Sequence, residues 1–165
     1  MEIWDGYFED GTQAGIDLVR GEKIPQGLYH LVCEILVRHV DGDYLLMQRD
    51  FKKDNYPGFF EATAGGSALK GEDRDACAKR ELKEETGITP EALSEIGRFV
   101  SKDTIYHTYL ALSSLNKSSV RLQKGETVSY KWVSEAQFIE FVQSGNMIPE
   151  QKDRYRMYFS KMRYL

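Results

Sequence analysis

The spacing of hydrophobic and polar positions changes several times along this chain, and each change marks an element. Residues 3–8 and 15–20 read as two short strands around the turn-rich Glu9-Asp10-Gly11, giving an N-terminal hairpin in an extension over residues 1–26. Between residues 28 and 40, Leu31, Cys33, Ile35 and Val37 recur at period two. That run stops at Asp41-Gly42 and resumes as Tyr44-Leu45-Leu46-Met47, which predicts a second hairpin. Residues 59–64 lead into the pair Gly65-Gly66. The period then becomes helical over 73–86, with Ala78 and Leu82 one turn apart as the apolar stripe. Residues 96–113, rich in β-branched and aromatic side chains, predict two strands, and 127–133 another. Ser134-Glu135-Ala136-Gln137 is a capping-box pattern opening a helix with Phe138, Phe141 and Val142 toward the core. Pro149 starts a last helix that runs to about Met162. Strands with a few helices among them, and no repeat or low-complexity linker, indicate one α+β domain over residues 1–165.

Composition narrows the function classes. With 41% hydrophobic and 29% charged residues the chain is of ordinary globular type, and a formal charge of -4 gives no general attraction to nucleic acid or anionic membranes. Cys33 and Cys77 are the only cysteines; their spacing makes neither a zinc site nor a disulfide framework, and buried thiols are expected. The acidic N-terminus lacks the basic and apolar regions of a secretory signal, and no apolar run has the length of a membrane span, so a cytoplasmic location is expected.

The charges themselves are unevenly placed. Glu72, Glu81, Glu84 and Glu85 gather around Arg80 between Gly66 and Ile88. Glu81 and Glu85 share one face of any helix containing them, and like charges at that spacing destabilise it by a few tenths of a kcal/mol. A divalent cation reverses the sign. Hard cations such as Mg²⁺ take one or two carboxylates together with water and substrate phosphates, so this face suits a metal-phosphate site. Gly66 can approach a ligand closely or offer its carbonyl, and Gly87 stands where a left-handed C-cap is expected. An acidic stretch interleaved with Lys and Arg is also what a plain solvated helix looks like; the spacing and the flanking glycines favour the metal site.

Position by position, Gly66, Glu72, Arg80-Glu81-Leu82, Glu84-Glu85 and Gly87-Ile88 resemble the Nudix box over residues 66–88 without a departure. The order of elements resembles the Nudix fold, a mixed sheet sandwiched between helices. This resemblance implies a hydrolase of MutT type that cleaves a phosphoanhydride in a nucleoside or other organic diphosphate linked to a further group. It implies Mg²⁺ or Mn²⁺ held chiefly by Glu81, Glu84 and Glu85, with the Gly66 carbonyl as a further ligand. Arg80 is expected to orient a glutamate. Glu72 is expected to be structural or to support the ligands. Glu84 and Glu81 are candidate general bases within the box, and Glu126 matches the place where many Nudix enzymes carry an additional glutamate.

A narrower resemblance covers Arg49-Asp50-Phe51-Lys52-Lys53-Asp54-Asn55-Tyr56-Pro57-Gly58, His30 and residues 126–132. These look like the isopentenyl-diphosphate isomerase branch, in which the residues matching Arg49 and Lys53 grip the substrate's diphosphate. Isomerisation itself is disfavoured, because Gly65 stands in place of that enzyme's cysteine and Ser67 in place of a metal-binding histidine. An isomerase-like enzyme and a non-catalytic nucleotide-binding module remain as alternatives. The intact acidic set argues against the module. The expected partner is a small nucleotide or organic diphosphate, with no nucleic-acid polymer or membrane, and a homodimer is left open.

Overall fold

The computed structural model describes all residues 1–165. Its elements are β1 (Ile3–Tyr7), β2 (Gln13–Val19), β3 (His30–His39), β4 (Tyr44–Arg49), β5 (Phe60–Ala62), β6 (Ala64–Ser67), α1 (Arg74–Thr86), β7 (Ala92–Ser101), β8 (Thr104–Ser113), β9 (Thr127–Val133), α2 (Glu135–Gln143), α3 (Pro149–Arg154) and α4 (Arg156–Lys161). β1 and β2 form a separate antiparallel hairpin, while the other seven strands form one mixed sheet in which β3 and β8 run parallel.

The hairpin expected from β3 and β4 does not extend. The two strands are paired only at Arg38 and Tyr44, and then part. β3 gives one edge to β8 and much of the other to β6, while β4 pairs with β9 and β5. Thr63 sits in the crotch, with a left-handed φ of 56° that is unusual for a β-branched residue. Its Oγ1 accepts from Val37 N at 3.0 Å and donates to Leu45 O at 2.7 Å. These bonds satisfy both diverging strands, and the kink carries the chain from the edge of β4 to the edge of β3. Gly65 and Gly66 are delivered to the middle of the molecule by that kink.

β3 is buried on both faces. Leu31, Cys33, Ile35 and Val37 enter one core with Cys77, Ala78 and Leu82 of α1. Leu36 enters a second with Phe138, Val142, Tyr155 and Phe159 from α2 to α4. The sheet therefore lies between helices, as the α+β Nudix fold requires. Both cysteines are fully buried. Phe141, expected inside, is only partly buried and packs at the margin of the second core. The last helix is interrupted at Tyr155, whose φ and ψ of -91° and 3° turn the chain so that Tyr155, Tyr158 and Phe159 all reach that core. No helix is long and apolar enough to cross a membrane.

Candidate active site

Helix α1 is fixed at both ends by its own sequence. Asp73 caps the N-terminus by accepting from Ala76 N at 2.8 Å, and Gly87 closes the C-terminus with φ 76°. Burial of Cys77, Ala78 and Leu82 sets the rotation of the helix, which turns Glu81 and Glu85 toward β6 and leaves Glu84 at the surface. Gly66 meets this face closely. A Cβ there would lie 2.3 Å from the Glu81 carboxyl carbon, so only glycine leaves room for that carboxylate.

Arg80 organises the cluster. Its Nε and Nη2 donate to the two oxygens of Glu72 at 2.7 and 2.9 Å, and Nη1 donates to Glu81 at 2.7 Å and Glu84 at 3.3 Å. Nη2 also donates to Ser67 O at 3.0 Å, tying the helix to β6. With its donors committed to carboxylates and a carbonyl, Arg80 is geometrically a positioning residue. Glu72 lies just outside the helix, and besides Arg80 it accepts from Leu69 N at 3.0 Å.

Glu85 is in a different state. It is 6% exposed, makes no ion pair, and accepts only a long contact from Gly65 N at 3.4 Å. Burial pushes its pKa well above the ordinary carboxylate range, and Glu61, Glu81 and Glu126 push it further. The Gly66 carbonyl, expected to face a metal, accepts from the Cys77 thiol at 3.6 Å, and Gly66 is paired with Cys33 in the sheet. No three acidic, histidine or cysteine side chains converge into a ready-made cage. A hard cation that keeps its waters and takes substrate phosphates does not need one. The fit rests on the carboxyl oxygens around Glu85 and on Glu85 itself, a buried carboxyl with no cationic partner.

Glu85 opens on a cleft of about 1010 Å³ that also exposes Glu61, Glu126, Arg49, Tyr106 and Arg154. Arg49 is anchored by Nε and Nη2 on Asn55 O at 3.1 and 2.9 Å, and Nη1 pairs with Glu61 at 3.0 Å. Lys53 pairs with Glu126. Both basic residues read as diphosphate ligands are thus joined to acids on the cleft wall. His30 lies at the cleft margin, stacked on Trp4 at 4.3 Å with Nδ1 close to Asp103 O and Thr104 Oγ1. Burial lowers its pKa. A second cavity of about 660 Å³ near the start of α1 touches Glu72 but none of the other box glutamates.

Several members of the cleft, among them Glu61, Gln151, Glu34 and Arg154, were not singled out from the sequence. Glu61 has its pKa raised by burial, and Gln151 is buried with Oε1 accepting from Ala62 N at 2.8 Å. Glu34 forms a two-pronged pair with Arg154 at 2.8 and 3.0 Å, and Arg154 in turn lies 4.3 Å from the Tyr106 ring centre. A lone glutamate inside the apolar run of β3 was the available signal, since such a charge needs a partner.

The model of the NUDIX domain matches residues 28–157. The chain belongs to the Nudix family. A Nudix hydrolase of Listeria monocytogenes is 30% identical over 151 residues, covering 90% of this chain and 89% of the relative. A Nudix hydrolase of Pseudomonas aeruginosa is 34% identical over 123 residues, covering 74% and 69%. Among solved structures, a protein of Deinococcus radiodurans aligns with TM-score 0.74 at 16% identity, over 95% of this chain and 99% of that one. The NUDIX domain of Shewanella oneidensis NrtR, complexed with ADP ribose, aligns with TM-score 0.61 at 17% identity, over 83% and 89%. These structural likenesses show the Nudix fold. As a Nudix hydrolase, the chain is an enzyme of the class acting on phosphorus-containing acid anhydrides.

Proposed function

We propose that this Nudix enzyme hydrolyses a phosphoanhydride in a nucleoside or other organic diphosphate linked to a further group, and that it depends on a divalent cation, Mg²⁺ or Mn²⁺. The observation that carries this reading is Glu85, a buried carboxyl with no cation against it, at the edge of a cleft lined by Arg20, Arg49, Lys102 and Arg154. Glu81, Glu84 and Glu85 hold the cation, with the Gly66 carbonyl beside them. A cation there supplies charge stabilisation at the phosphoryl oxygens and a water acidic enough to ionise near neutral pH.

The protein's own contribution is placement. Arg80 holds Glu81 and Glu84 in one arrangement, so no reorganisation is needed when substrate arrives. Lys53 and Arg49 bind the diphosphate: Lys53 as a mobile point charge, Arg49 as a fork whose position the Asn55 carbonyl fixes. Glu84, held by one contact from Arg80 and half exposed, and Glu126, on a loop at the cleft and paired with Lys53, are the candidate general bases. Isomerisation is not proposed, since both thiols are buried and Gly65 offers no proton donor.

The test is a panel of nucleoside diphosphate sugars, dinucleotides and prenyl diphosphates incubated with Mg²⁺, following released phosphate esters. Hydrolysis of at least one member, abolished by excess EDTA and restored by Mg²⁺ or Mn²⁺, is expected. Turnover that persists in EDTA would overturn the metal reading.

A further inference from the structure

The acids paired with Arg49 and Lys53 are not bystanders. Glu61 and Glu126 are two of the three glutamates whose charge bears on buried Glu85. Glu61 and Glu126 thus share the cleft with the unpaired Glu85 carboxyl, and each is paired with a cation of the protein itself. Glu61 is nearly enclosed, with side-chain exposure 16%, and its Coulombic partners are Arg49 and Lys53 on one side and Glu34 on the other. Arg49 needs only one of its nitrogens for Glu61, because Nε and Nη2 are anchored elsewhere. Releasing Nη1 therefore leaves the guanidinium where it is.

We infer that Glu61 is a further member of the cation-holding set, and that Arg49 occupies it as an internal counter-charge until a divalent ion and a diphosphate arrive together. This rests on the metal-dependent reading above. When the ion takes Glu61, Nη1 of Arg49 loses its acid and turns to a phosphate oxygen; when a phosphate takes Nη1, Glu61 is left free for the ion. Each ligand removes the competitor of the other, so the two bind with positive coupling, and the coupling is reciprocal. Lys53 and Glu126 repeat the arrangement on the adjoining loop. A merely structural Arg49–Glu61 pair would stabilise the loop over residues 50–58 without influencing the ion.

The distinguishing measurement uses Mn²⁺ alone, with free ion followed by electron paramagnetic resonance, so that neither substrate nor turnover is needed. Glu61→Gln, which keeps shape and hydrogen bonding, should weaken Mn²⁺ binding about tenfold or more. Arg49→Gln should do the reverse and tighten it about threefold, because a competing cation is gone. In the Glu61→Gln background the Arg49→Gln change should lose this effect. Arg49→Ala provides a second variant, and thermal melting verifies that each protein is folded. Equal tightening in both backgrounds would reduce Arg49 to a general charge effect and overturn the exchange, as would a Glu61→Gln protein that binds Mn²⁺ normally. Glu85→Gln separates the two levels: if it abolishes Mn²⁺ binding while Glu61→Gln does not, only this inference fails, and if it too binds normally, the metal-site reading fails with it.

Discussion

Gly66 and Glu81 stand so close that a single methyl group on the glycine would come within 2.3 Å of the glutamate's carboxyl carbon and of its Oε1. Gly66→Ala must therefore move a carboxylate, which Arg80 and the helix otherwise hold in place. Turnover should fall about a hundredfold or more, as for a displaced charge-stabilising group, while thermal stability changes little. An alanine protein with wild-type kcat would show that Glu81 is not needed where it stands.

Arg80→Lys keeps the charge but loses the fork that spans Glu72, Glu81 and Glu84. Turnover should fall about ten- to a hundredfold with KM little altered, because the loss is in placement rather than in substrate contact. Steady-state kinetics on the best substrate decides this. A lysine enzyme as fast as wild type would reduce Arg80 to a neutraliser of charge.

Glu85 predicts a pH dependence of stability in the metal-free protein. Its folded pKa lies above the unfolded value, so the folded state holds the proton more tightly across the window from about 4.3 upward to the raised value. Stability must then fall as pH rises through that window. Glu85→Gln removes this dependence, and the difference from wild type cancels the opposing contributions of His30 and His107, whose pKa values are lowered by burial. In EDTA, urea melts should show the variant gaining on wild type as pH rises through that window. A difference that does not vary with pH would contradict the buried, unpaired carboxylate.

Isopentenyl diphosphate should not be isomerised. Cys33 and Cys77 are fully buried, and the Cys33 thiol donates to Arg74 O at 3.2 Å in the interior. Incubation with Mg²⁺ in deuterated water should give no dimethylallyl diphosphate and no deuterium incorporation above the enzyme-free control. Clear incorporation would require another residue to deliver the proton.

Helix α1 was legible in the sequence because its information is local: an apolar stripe and a left-handed glycine fall within the residues they govern, while Asp73, read as the first helical residue, is the N-cap. The acidic face came with it. The parting of β3 from β4 was not legible, because it depends on β8 and β9, which join from more than sixty residues away. For the same reason Lys53 could be noticed as a base but not matched to Glu126, 73 residues on; Arg49 and Glu61 are 12 apart, and their pairing depends on the register of β4 against β5. Glu61 sits in a short strand whose pattern carries no period, and its importance lies in what the fold brings around it.

The pair between Glu34 and Arg154 joins the centre of the sheet to a residue 120 positions later. A chain emerging in order exposes the box helix and its glycine strand early, while Glu34 still has no counter-charge. Closing the sheet over it at that stage would bury a lone anion, and removing one partner of such a pair is worth about 3–5 kcal/mol. Docking of α3, which ends at Arg154, therefore supplies the counter-charge that lets the central layer close over Glu34.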